Sequence, residues 1–325
     1  MKFMKLTCVA VTLAAGGHVA DAQEIPPQQG NWPQHNVRFQ VAFAPAGPAD
    51  IVARLLGQAL QAKWGQTIII ENRAGAGGNT GAVNVARAEP DGYTILVSTS
   101  AFSVNLNLYD KPGYALSDFQ VATIASTSPN ILVAAPNLKQ NTLKEIIEAS
   151  KTTNLAFASA GVGTTPHLTG ELIFRLLAKV DIRHVPFTGA GPAVNAAMAG
   201  QVPLALVALP GAIEQVKGNT VKGIAIATAK RIADLPDVPT MIESGTDVEA
   251  ASIVAFFMPA KTPPAIVAKF NADVNDVIRS GALDKAFAAA GVSPLTYTPA
   301  QSQAFIIEET RKWGEVIKAS GLKAE

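Results

Sequence analysis

Residues 43–50, Phe-Ala-Pro-Ala-Gly-Pro-Ala-Asp, join an apolar strand pattern to an amphipathic helix pattern. The strand pattern is Arg-Phe-Gln-Val-Ala-Phe at residues 38–43. The helix pattern places apolar side chains on one face, at Ile51, Val52, Leu55, Leu56, Ala59 and Leu60. The Pro/Gly turn between them carries no bulky side chain, so it leaves the first N–H groups of the helix uncovered at its positive end, where anions bind.

The same sequence of strand, Gly-rich turn and helix recurs at residues 159–165 (Ser-Ala-Gly-Val-Gly-Thr-Thr) and 186–192 (Pro-Phe-Thr-Gly-Ala-Gly-Pro). One such joint is an ordinary structural feature of any α/β protein. Three in one chain favour a binding cleft, because α/β sheets bind ligands at the carboxyl ends of their strands. We therefore expect a cleft that holds a small carboxylate.

The first 22 residues have the pattern of a secretory signal peptide. Lys2 and Lys5 precede an apolar run at residues 6–15, and Ala-Asp-Ala at 20–22 fits a small-x-small cleavage site. The run is too short for a permanent membrane span. We expect cleavage after Ala22, export of the mature chain, and a flexible leader over residues 23–36.

Composition excludes several classes of partner and site. Removing Lys2, Lys5 and Asp21 with the signal peptide leaves 24 basic and 24 acidic side chains. This balance argues against nucleic acid and anionic membranes as partners. Cys8 is the only cysteine and leaves with the signal peptide, so the mature chain has no disulfide, no thiol nucleophile and no thiolate metal ligand.

Apolar β-rich runs alternate with helical patterns through most of the chain. Continuous apolar strands separated by helices are typical of an α/β fold with parallel sheets covered on both faces. The patterns predict separate strands at 121–125 and 130–135 and a helix over 166–179. Three final helix patterns have no strands between them and are expected to pack back onto an earlier domain: 263–279, 282–290 and 299–319.

Residues suited to catalysis or metal binding are scarce. Beyond the signal peptide and leader the histidines are His167 and His184, and neither has a Cys, Asp or Glu partner at metal-ligand spacing, so no metal site is expected. We interpret His184 as structural, whereas His167, in the first turn of a helix, is open to a structural role or to ligand contact. Ser159 lacks the G-x-S-x-G setting, and the glycines at 75–81 form no P-loop, so neither an enzyme nor a cofactor is expected.

Polar side chains cluster after the strand pattern that ends at Ser98, among them Ser100, Ser103 and Asn105. The segment is either a polar loop with a helix cap or a further wall of the cleft that donates hydroxyl groups to a ligand. Both interpretations can hold together.

In this order the motifs resemble the periplasmic solute-binding receptors of tripartite tricarboxylate transporters, the Bug or TctC-type receptors. The resemblance extends from about residue 37 to residue 323. Its residues include Glu-Asn-Arg-Ala-Gly-Ala-Gly-Gly-Asn-Thr-Gly at 71–81 and Glu-Pro-Asp-Gly-Tyr-Thr at 89–94. The remaining matches are at 43–54, 186–189, 237–240 and 259–263.

The resemblance implies a type II periplasmic binding protein with two α/β lobes and the ligand between them. Lobe 1 would comprise residues 37–125 and 254–325, and lobe 2 residues 126–253. We expect the lobes to close on the ligand about hinges near 124–127 and 251–255. A receptor of this kind is periplasmic, is expected to be a monomer, and delivers a small organic carboxylate to membrane permease subunits.

The resemblance also implies which residues contact the ligand. From lobe 1 they would be Phe43, Pro45, Ala46, Gly47, Asp50, Ser100, Ser103 and Asn105. From lobe 2 they would be Ser159, Gly161, Val162, Gly163, Thr164, Thr165, His167, Thr188, Gly189 and Val207.

Departures from the family pattern bear on the ligand. Ala46-Gly47 replaces the usual Gly-Gly pair, and Pro203 and Val207 stand where the family has acidic residues. Without an acidic partner for an ammonium group an amino-acid ligand is disfavoured. An aromatic or aliphatic mono- or dicarboxylate with a more apolar far end is expected instead.

Two other functions are weighed against the transport receptor. A periplasmic sensor module that presents its bound carboxylate to a two-component histidine kinase would need the same cleft residues. An exported hydrolase fits less well, because the sequence offers no nucleophile and base that can be paired.

Overall fold

The computed structural model describes residues 32–324. The predicted signal peptide and residues 23–31 of the predicted leader lie outside this range. The strands are β1 (Val37–Val41), β2 (Ile68–Asn72), β3 (Thr94–Thr99), β4 (Phe119–Ala134), β5 (Ala156–Ser159), β6 (Arg183–Pro186), β7 (Leu204–Ala208), β8 (Lys222–Ile226), β9 (Ala251–Pro259) and β10 (Ser293–Pro294).

The helices cover both faces of these strands. They are α1 (Pro48–Trp64), α2 (Asn79–Ala86), α3 (Ala101–Leu108), α4 (Leu143–Ser150), α5 (Thr165–Gly170), α6 (Ala190–Met198), α7 (Ile213–Lys217), α8 (Pro264–Arg279), α9 (Asp284–Ala289) and α10 (Pro299–Ser320). A π-helix, Glu171–Leu177, continues α5 without a break. Where one helix was predicted over 166–179, the chain therefore changes from α to π geometry part of the way along. Among the described residues, no helix combines the length and apolar composition of a membrane span.

The strands form one sheet with two parallel halves, which confirms the predicted α/β class. The order is β2-β1-β3-β9-β4-β7-β5-β6, and β8 and β10 also pair with β4. In one half β1 is parallel to β2 and β3, and in the other β5 is parallel to β6 and β7. We call β1–β3 and the helices packed on them the first lobe, and β5–β8 and theirs the second lobe.

Two antiparallel strands, β4 and β9, join the lobes. The prediction of two strands at 121–125 and 130–135 is wrong, because β4 is a single strand of 16 residues. The residues between the two patterns stay extended, since they pair with the start of β9. Bulges between Val121 and Thr123 and between Ile124 and Ser126 let this long strand bend as it passes from one lobe to the other.

Each lobe has its own apolar core. Phe39, Leu56 and Phe256 are fully buried in the core of the first lobe. The second lobe has a core on each face of its sheet, one around Ile131 and Val207 and the other around Phe157 and Phe174. Separate cores let each lobe keep its shape if the two move relative to one another.

The C-terminal helices pack on the first lobe. On α8, the Asp273 carboxylate accepts a hydrogen bond from Trp64 Nε1 at the end of α1 (2.8 Å). On α10, Ser302 Oγ accepts the N–H of Ile124 on β4 (3.0 Å). Helices without intervening strands thus complete a sheet formed much earlier in the chain.

Part of the predicted leader is packed on the fold. Trp32 is buried, and its ring makes an edge contact with that of Trp64 at 5.1 Å between centroids. His35 stacks on Tyr93 at 3.6 Å between centroids. Trp32 and His35 therefore pack on the fold within the segment where a flexible leader is expected.

Candidate functional site

The turn between β1 and α1 is held by Asp50. Ala46, in this turn, has a left-handed backbone with φ 66°. The buried Asp50 carboxylate accepts hydrogen bonds from the Ala46 N–H (3.1 Å), from Asn72 Nδ2 (3.0 Å), and from Arg54 Nε (3.0 Å) and Nη2 (2.8 Å). Burial raises the pKa of Asp50, but the hydrogen bonds from Arg54, Asn72 and Ala46 outweigh it and hold the pKa below its usual value. Asp50 thus shapes the turn with a carboxylate that is already fully engaged.

The first helical N–H groups beyond this turn are unpaired. Helix α1 begins at Pro48, which has no N–H to satisfy, and its N-cap Gly47 offers no side chain. Within the described residues, the N–H groups of Gly47, Ala49 and Asp50 have no hydrogen-bond partner. They lie at the positive end of a helix of 17 residues, which favours a negative ligand group there.

The loop after β5 is held differently, by its own side chains. Ser159 Oγ accepts the Gly161 N–H (3.1 Å), and His167 Nδ1 accepts the Gly163 N–H (3.2 Å). Thr164 caps α5 and donates its hydroxyl to the Gly161 carbonyl (2.8 Å). Gly161 and Gly163 have φ of 134° and 83°, which only glycine adopts readily. The sequence suggested that the N–H groups of Gly161 and Gly163 were free to bind a ligand. In the structure both donate hydrogen bonds to side chains of the same segment.

Two neutral histidines lie beneath this loop. The rings of His167 and His184 stack at 4.1 Å between centroids. Burial lowers the pKa of His167 to about 4. Burial, and secondarily the neighbouring His167, lowers the pKa of His184 to about 3. Both rings are uncharged at neutral pH and serve as hydrogen-bond partners of the loop.

The structure also brings together a serine and a histidine that the sequence did not pair. Ser159 Oγ lies 2.7 Å from His184 Nε2. The Ser159 side chain is fully buried, and a base whose pKa is about 3 is poorly matched to proton abstraction at neutral pH. No carboxylate hydrogen-bonds to His184 among the described residues. The pair therefore supports the loop and lacks the features of a hydrolase nucleophile.

The loop after β6 touches the first lobe directly. The Ala44 N–H donates to the carbonyl of Thr188 at 3.0 Å. A Cβ placed on Gly189 would lie 3.0 Å from the Ala44 nitrogen, and one on Gly191 would lie 2.7 Å from the Pro45 carbonyl oxygen. The backbones of the two lobes can approach this closely because Gly189 and Gly191 have no side chain.

A second contact between the lobes lies near the glycine-rich turn before α2. A Cβ on Gly77 would lie 2.1 Å from the Val162 carbonyl oxygen, and one on Gly163 would lie 1.8 Å from Asn105 Oδ1. Asn105 Nδ2 donates to the Gly77 carbonyl (3.0 Å) and to Asn79 Oδ1 (2.7 Å). Asn105 thus holds the turn that faces the second lobe.

A small cavity lies between the two contacts, with about 20 Å³ of free volume. This is room for about one water molecule. Its lining comes from both lobes and from β9, and it contains no charged side chain: Phe43, Gly47, Pro48, Ala49, Thr99, Ala160, Thr164, Pro166, Ala190, Ala208 and Ser252. Gly47, Ala49, Ala160 and Ala190 each have an N–H without a described partner.

A buried polar network closes the cavity at the joining strands. Ser252 Oγ, on β9, donates to Asn130 Oδ1 on β4 at 3.3 Å and makes a very short hydrogen bond with Thr165 Oγ1. Asn130 Nδ2 donates to Thr169 Oγ1 at 2.9 Å. The network links α5, which follows the loop after β5, to both joining strands.

The sequence-predicted residues divide into three groups. Phe43, Gly47 and Thr164 line the cavity. Others belong to the same turns as lining residues without lining the cavity themselves: Pro45, Ala46, Ser159, Gly161, Thr165 and Gly189. The rest support a loop, face the other lobe or lie elsewhere: Asp50, Ser100, Ser103, Asn105, Val162, Gly163, His167, Thr188 and Val207.

Val207 is the clearest departure from the expected site. Its side chain is fully buried in the core of the second lobe, while the next residue, Ala208, lines the cavity. Adjacent residues on a strand point to opposite faces, so a shift of one position exchanges core and cavity.

Several lining residues were missed by the sequence reasoning. Thr99 and Ala208 end parallel strands, and that position could have identified them. Pro48, Ala49, Ala160 and Ala190 lie inside the recognised motifs, and Pro166 directly follows one, but none of these side chains carries a polar group. Ser252 has no local signal, because only the pairing of β9 with β4 brings it to the cavity.

Comparisons with known proteins agree with this architecture. Residues 52–322 match the sequence profile of the family described as "Tripartite tricarboxylate transporter family receptor". The chain is 33% identical to Protein BugT of Bordetella pertussis over 324 residues, which is 98% of each chain.

Two solved structures with bound ligands are similar over most of the chain. A protein of R. palustris solved with adipate is 29% identical, with a TM-score of 0.85 over 90% of this chain and 99% of the other. MatC from Rhodopseudomonas palustris, solved with malate, is 32% identical, with a TM-score of 0.82 over 88% of this chain and 100% of the other.

Proposed function

Because this chain belongs to the family of tripartite tricarboxylate transporter receptors, we propose that it captures a small organic carboxylate between its lobes and delivers it to the permease subunits of such a transporter. The similar structures with adipate and with malate support a carboxylate ligand. The fold is that of a two-lobe periplasmic binding protein. In this proposal the predicted signal peptide, cleaved after Ala22, directs the chain to the periplasm, where it acts as a monomer.

The unpaired N–H groups around the cavity are the observation that carries the proposal. Gly47 and Ala49, at the start of α1, line the cavity from the first lobe, and Ala160 and Ala190 line it from the second. A carboxylate accepts such donors, and its negative charge is stabilised by the α1 dipole.

Hydrogen bonds of this number supply a large part of the free energy that a useful affinity requires. A micromolar Kd corresponds to about −8 kcal/mol. A helix terminus alone contributes about 0.3–2 kcal/mol, which is too little. Hydrogen bonds to a charged group contribute about 1.5–3 kcal/mol each, so four of them supply about 6–12 kcal/mol. Because association itself costs about 4 kcal/mol or more, burial of the ligand's apolar part must supply the remainder.

The uncharged lining favours particular ligands. With Ala208 at the position where Val207 was expected, the cavity still lacks an acidic partner for an ammonium group. It also lacks a cationic side chain for a second carboxylate, and Thr99 and Ser252 offer only hydroxyl groups. We propose an aromatic or aliphatic carboxylate whose far end contacts apolar groups and hydroxyls.

Ligand entry requires the lobes to separate, because a cavity of about 20 Å³ holds no organic acid. We propose that residues 37–125 with 254–325 and residues 126–253 move as two bodies. The hinges would lie near 124–127 and 251–255. The first range contains the bulge between Ile124 and Ser126 in β4, where the strand already bends.

A thermal-shift screen against a carboxylate library tests the proposal. We expect an aliphatic or aromatic carboxylate to stabilise the protein by about 2.7 kcal/mol at 100 times its Kd. Aspartate and glutamate serve as controls and should have little effect. Stabilisation by these amino acids alone, or by no member of the library, would contradict the proposed ligand class.

A further inference from the structure

We propose that the π-helix Glu171–Leu177 and the cleft beside it form a docking surface for a segment of a partner protein that combines acidic and apolar side chains. The identity of that partner as a membrane protein rests on the proposed function, whereas the surface itself is argued from the second lobe alone.

The π-helix exposes an unusual amount of apolar surface. Leu172, Leu176 and Leu177 are 36%, 49% and 51% exposed. They are three of the seven large apolar side chains that are strongly exposed among the described residues, and the other four are scattered over different elements. A concentration of this kind marks an interaction site more often than isolated exposed leucines do.

The backbone that presents these leucines is itself uncommon. π-Helices are rare, occur mostly as single turns, and are frequent at functional sites. This one covers seven residues and is anchored inward by the buried Ile173 and Phe174. The chain then leaves the helix through Lys179, a non-glycine residue with φ 53°. The three leucines thus lie on the outer side of a helix whose inner side is buried.

The adjoining cleft is basic. It has a volume of about 630 Å³ and reaches from the π-helix to the start of β6. Exposed Arg175, Lys179 and Arg183 line it, against one exposed carboxylate, Asp181. Arg175 lies 3.7 Å from the half-buried Glu171, while Lys179 and Arg183 make no ion pair with any described residue. The cleft thus holds three cations and two carboxylates, and the two cations without an ion pair among the described residues, Lys179 and Arg183, favour an acidic partner.

One continuous helix connects the docking surface to the loop after β5, which borders the cavity. The same helix begins at the Thr164 cap, which lines the cavity, and ends at Leu177. On that helix, His167 binds the loop through the Gly163 N–H and has its Nε2 3.9 Å from Glu171, in the cleft. A partner seated on the surface therefore holds the element that carries one wall of the binding site.

Photo-cross-linking in intact bacteria that produce the protein tests the surface. A photoreactive amino acid replaces Leu176 in one variant and Ile307 on α10, which is similarly exposed at 52%, in a matched control. We expect mass spectrometry to find Leu176 adducts on an acidic segment of a membrane protein and no such adduct from Ile307. Adducts with a second copy of this chain, equal labelling from both positions, or no adduct would overturn the proposal.

Charge reversal provides the second arm. Lys179→Glu combined with Arg183→Glu should reduce the Leu176 adduct roughly tenfold, with an unchanged melting temperature. Lys139→Glu combined with Lys144→Glu, on the same lobe, should leave the adduct unchanged. An unaffected adduct in the first pair contradicts the surface. Carboxylate binding by the unchanged, purified protein is measured separately. If the protein binds no carboxylate but Leu176 still gives the adduct, the ligand proposal is refuted. If the protein binds a carboxylate but Leu176 gives no adduct, the docking surface is refuted.

Discussion

At the scale of the residue, the site depends on side chains that hold main chain in place. Asp50, Ser159, Thr164 and His167 each bind an N–H or a carbonyl of a loop. Few of them face the cavity themselves. The resemblance to the receptor family implied that these residues contact the ligand, and in the structure most of them support a loop.

Asp50→Asn tests that role. The change replaces one acceptor oxygen by a donor facing the Ala46 N–H, Asn72 and Arg54, so we expect the free energy of unfolding to fall by about 2 kcal/mol. Urea denaturation measures it. Asp234→Asn is the control, because the ion pair of Asp234 with Lys217 is exposed and should change stability by less than about 1 kcal/mol. Equal effects of the two changes would contradict a special role for Asp50.

The stacked histidines predict a pH dependence. The pKa of His167 is about 4 and that of His184 about 3 in the folded state, against 6.5 for an unperturbed histidine. The unfolded chain therefore binds protons first as the pH falls, and stability is lost between pH 6.5 and about pH 4 to 3. Above pH 6.5 the pair adds no pH dependence.

The measurement is the free energy of unfolding from urea titrations between pH 7 and pH 4.5. His167→Gln combined with His184→Gln should show a shallower decline with falling pH than the unchanged protein. His35→Gln, at the histidine that stacks on Tyr93, should keep the full decline. Identical pH profiles for all three proteins would show that the buried pair does not titrate as expected.

At the scale of the element, glycines lie where a loop or a helix start meets the opposite lobe, and the proposed closure depends on their small size. At Gly77, Gly163, Gly189 and Gly191 an added Cβ would collide with atoms of the opposite lobe. Gly191 is the most informative, because it lies in α6 and does not need a left-handed backbone.

Gly191→Ala should separate closure from folding. Alanine suits a helix better than glycine, so the melting temperature should stay the same or rise. The added Cβ would lie 2.7 Å from the Pro45 carbonyl oxygen, so full closure is prevented. Calorimetry with a carboxylate found in the screen should show roughly tenfold weaker binding.

Gly218→Ala is the matched control. Its Cβ would meet only the Glu214 carbonyl of its own helix, at 3.2 Å, so affinity should not change. If Gly191→Ala binds the carboxylate as tightly as the unchanged protein, the contact between α6 and the first turn is not needed in the bound state.

At the scale of the whole molecule, opening can be controlled by a disulfide. A Cβ on Gly47 would lie 3.6 Å from the Ala190 Cβ, within the range of native disulfides. Gly47→Cys combined with Ala190→Cys should form a bond that locks the lobes together. We expect the oxidised variant to bind no carboxylate and the reduced variant to recover binding. Small-angle scattering should show the reduced form to be the more extended of the two, and equal binding by both forms would contradict lobe opening.

The sequence by itself determined the α/β class and the elements with strong local signals. Pro48 and Gly65 delimit α1, and the capping box of Thr298 and Gln301 begins α10. These signals are local, because a cap or a left-handed turn depends on residues within one helical turn. The turns around the cavity were recognised for the same reason.

Tertiary structure alone decided what those turns do. Residues 126–129 became part of one long strand because β9 pairs with them, and Ser252 reached the cavity through the same pairing. The orientation of Val207 away from the cavity and the use of the Gly161 and Gly163 amides within their own loop depend on packing against distant segments. A side chain's partner across the fold is set by burial and strand register, and neither is encoded within a few neighbouring residues.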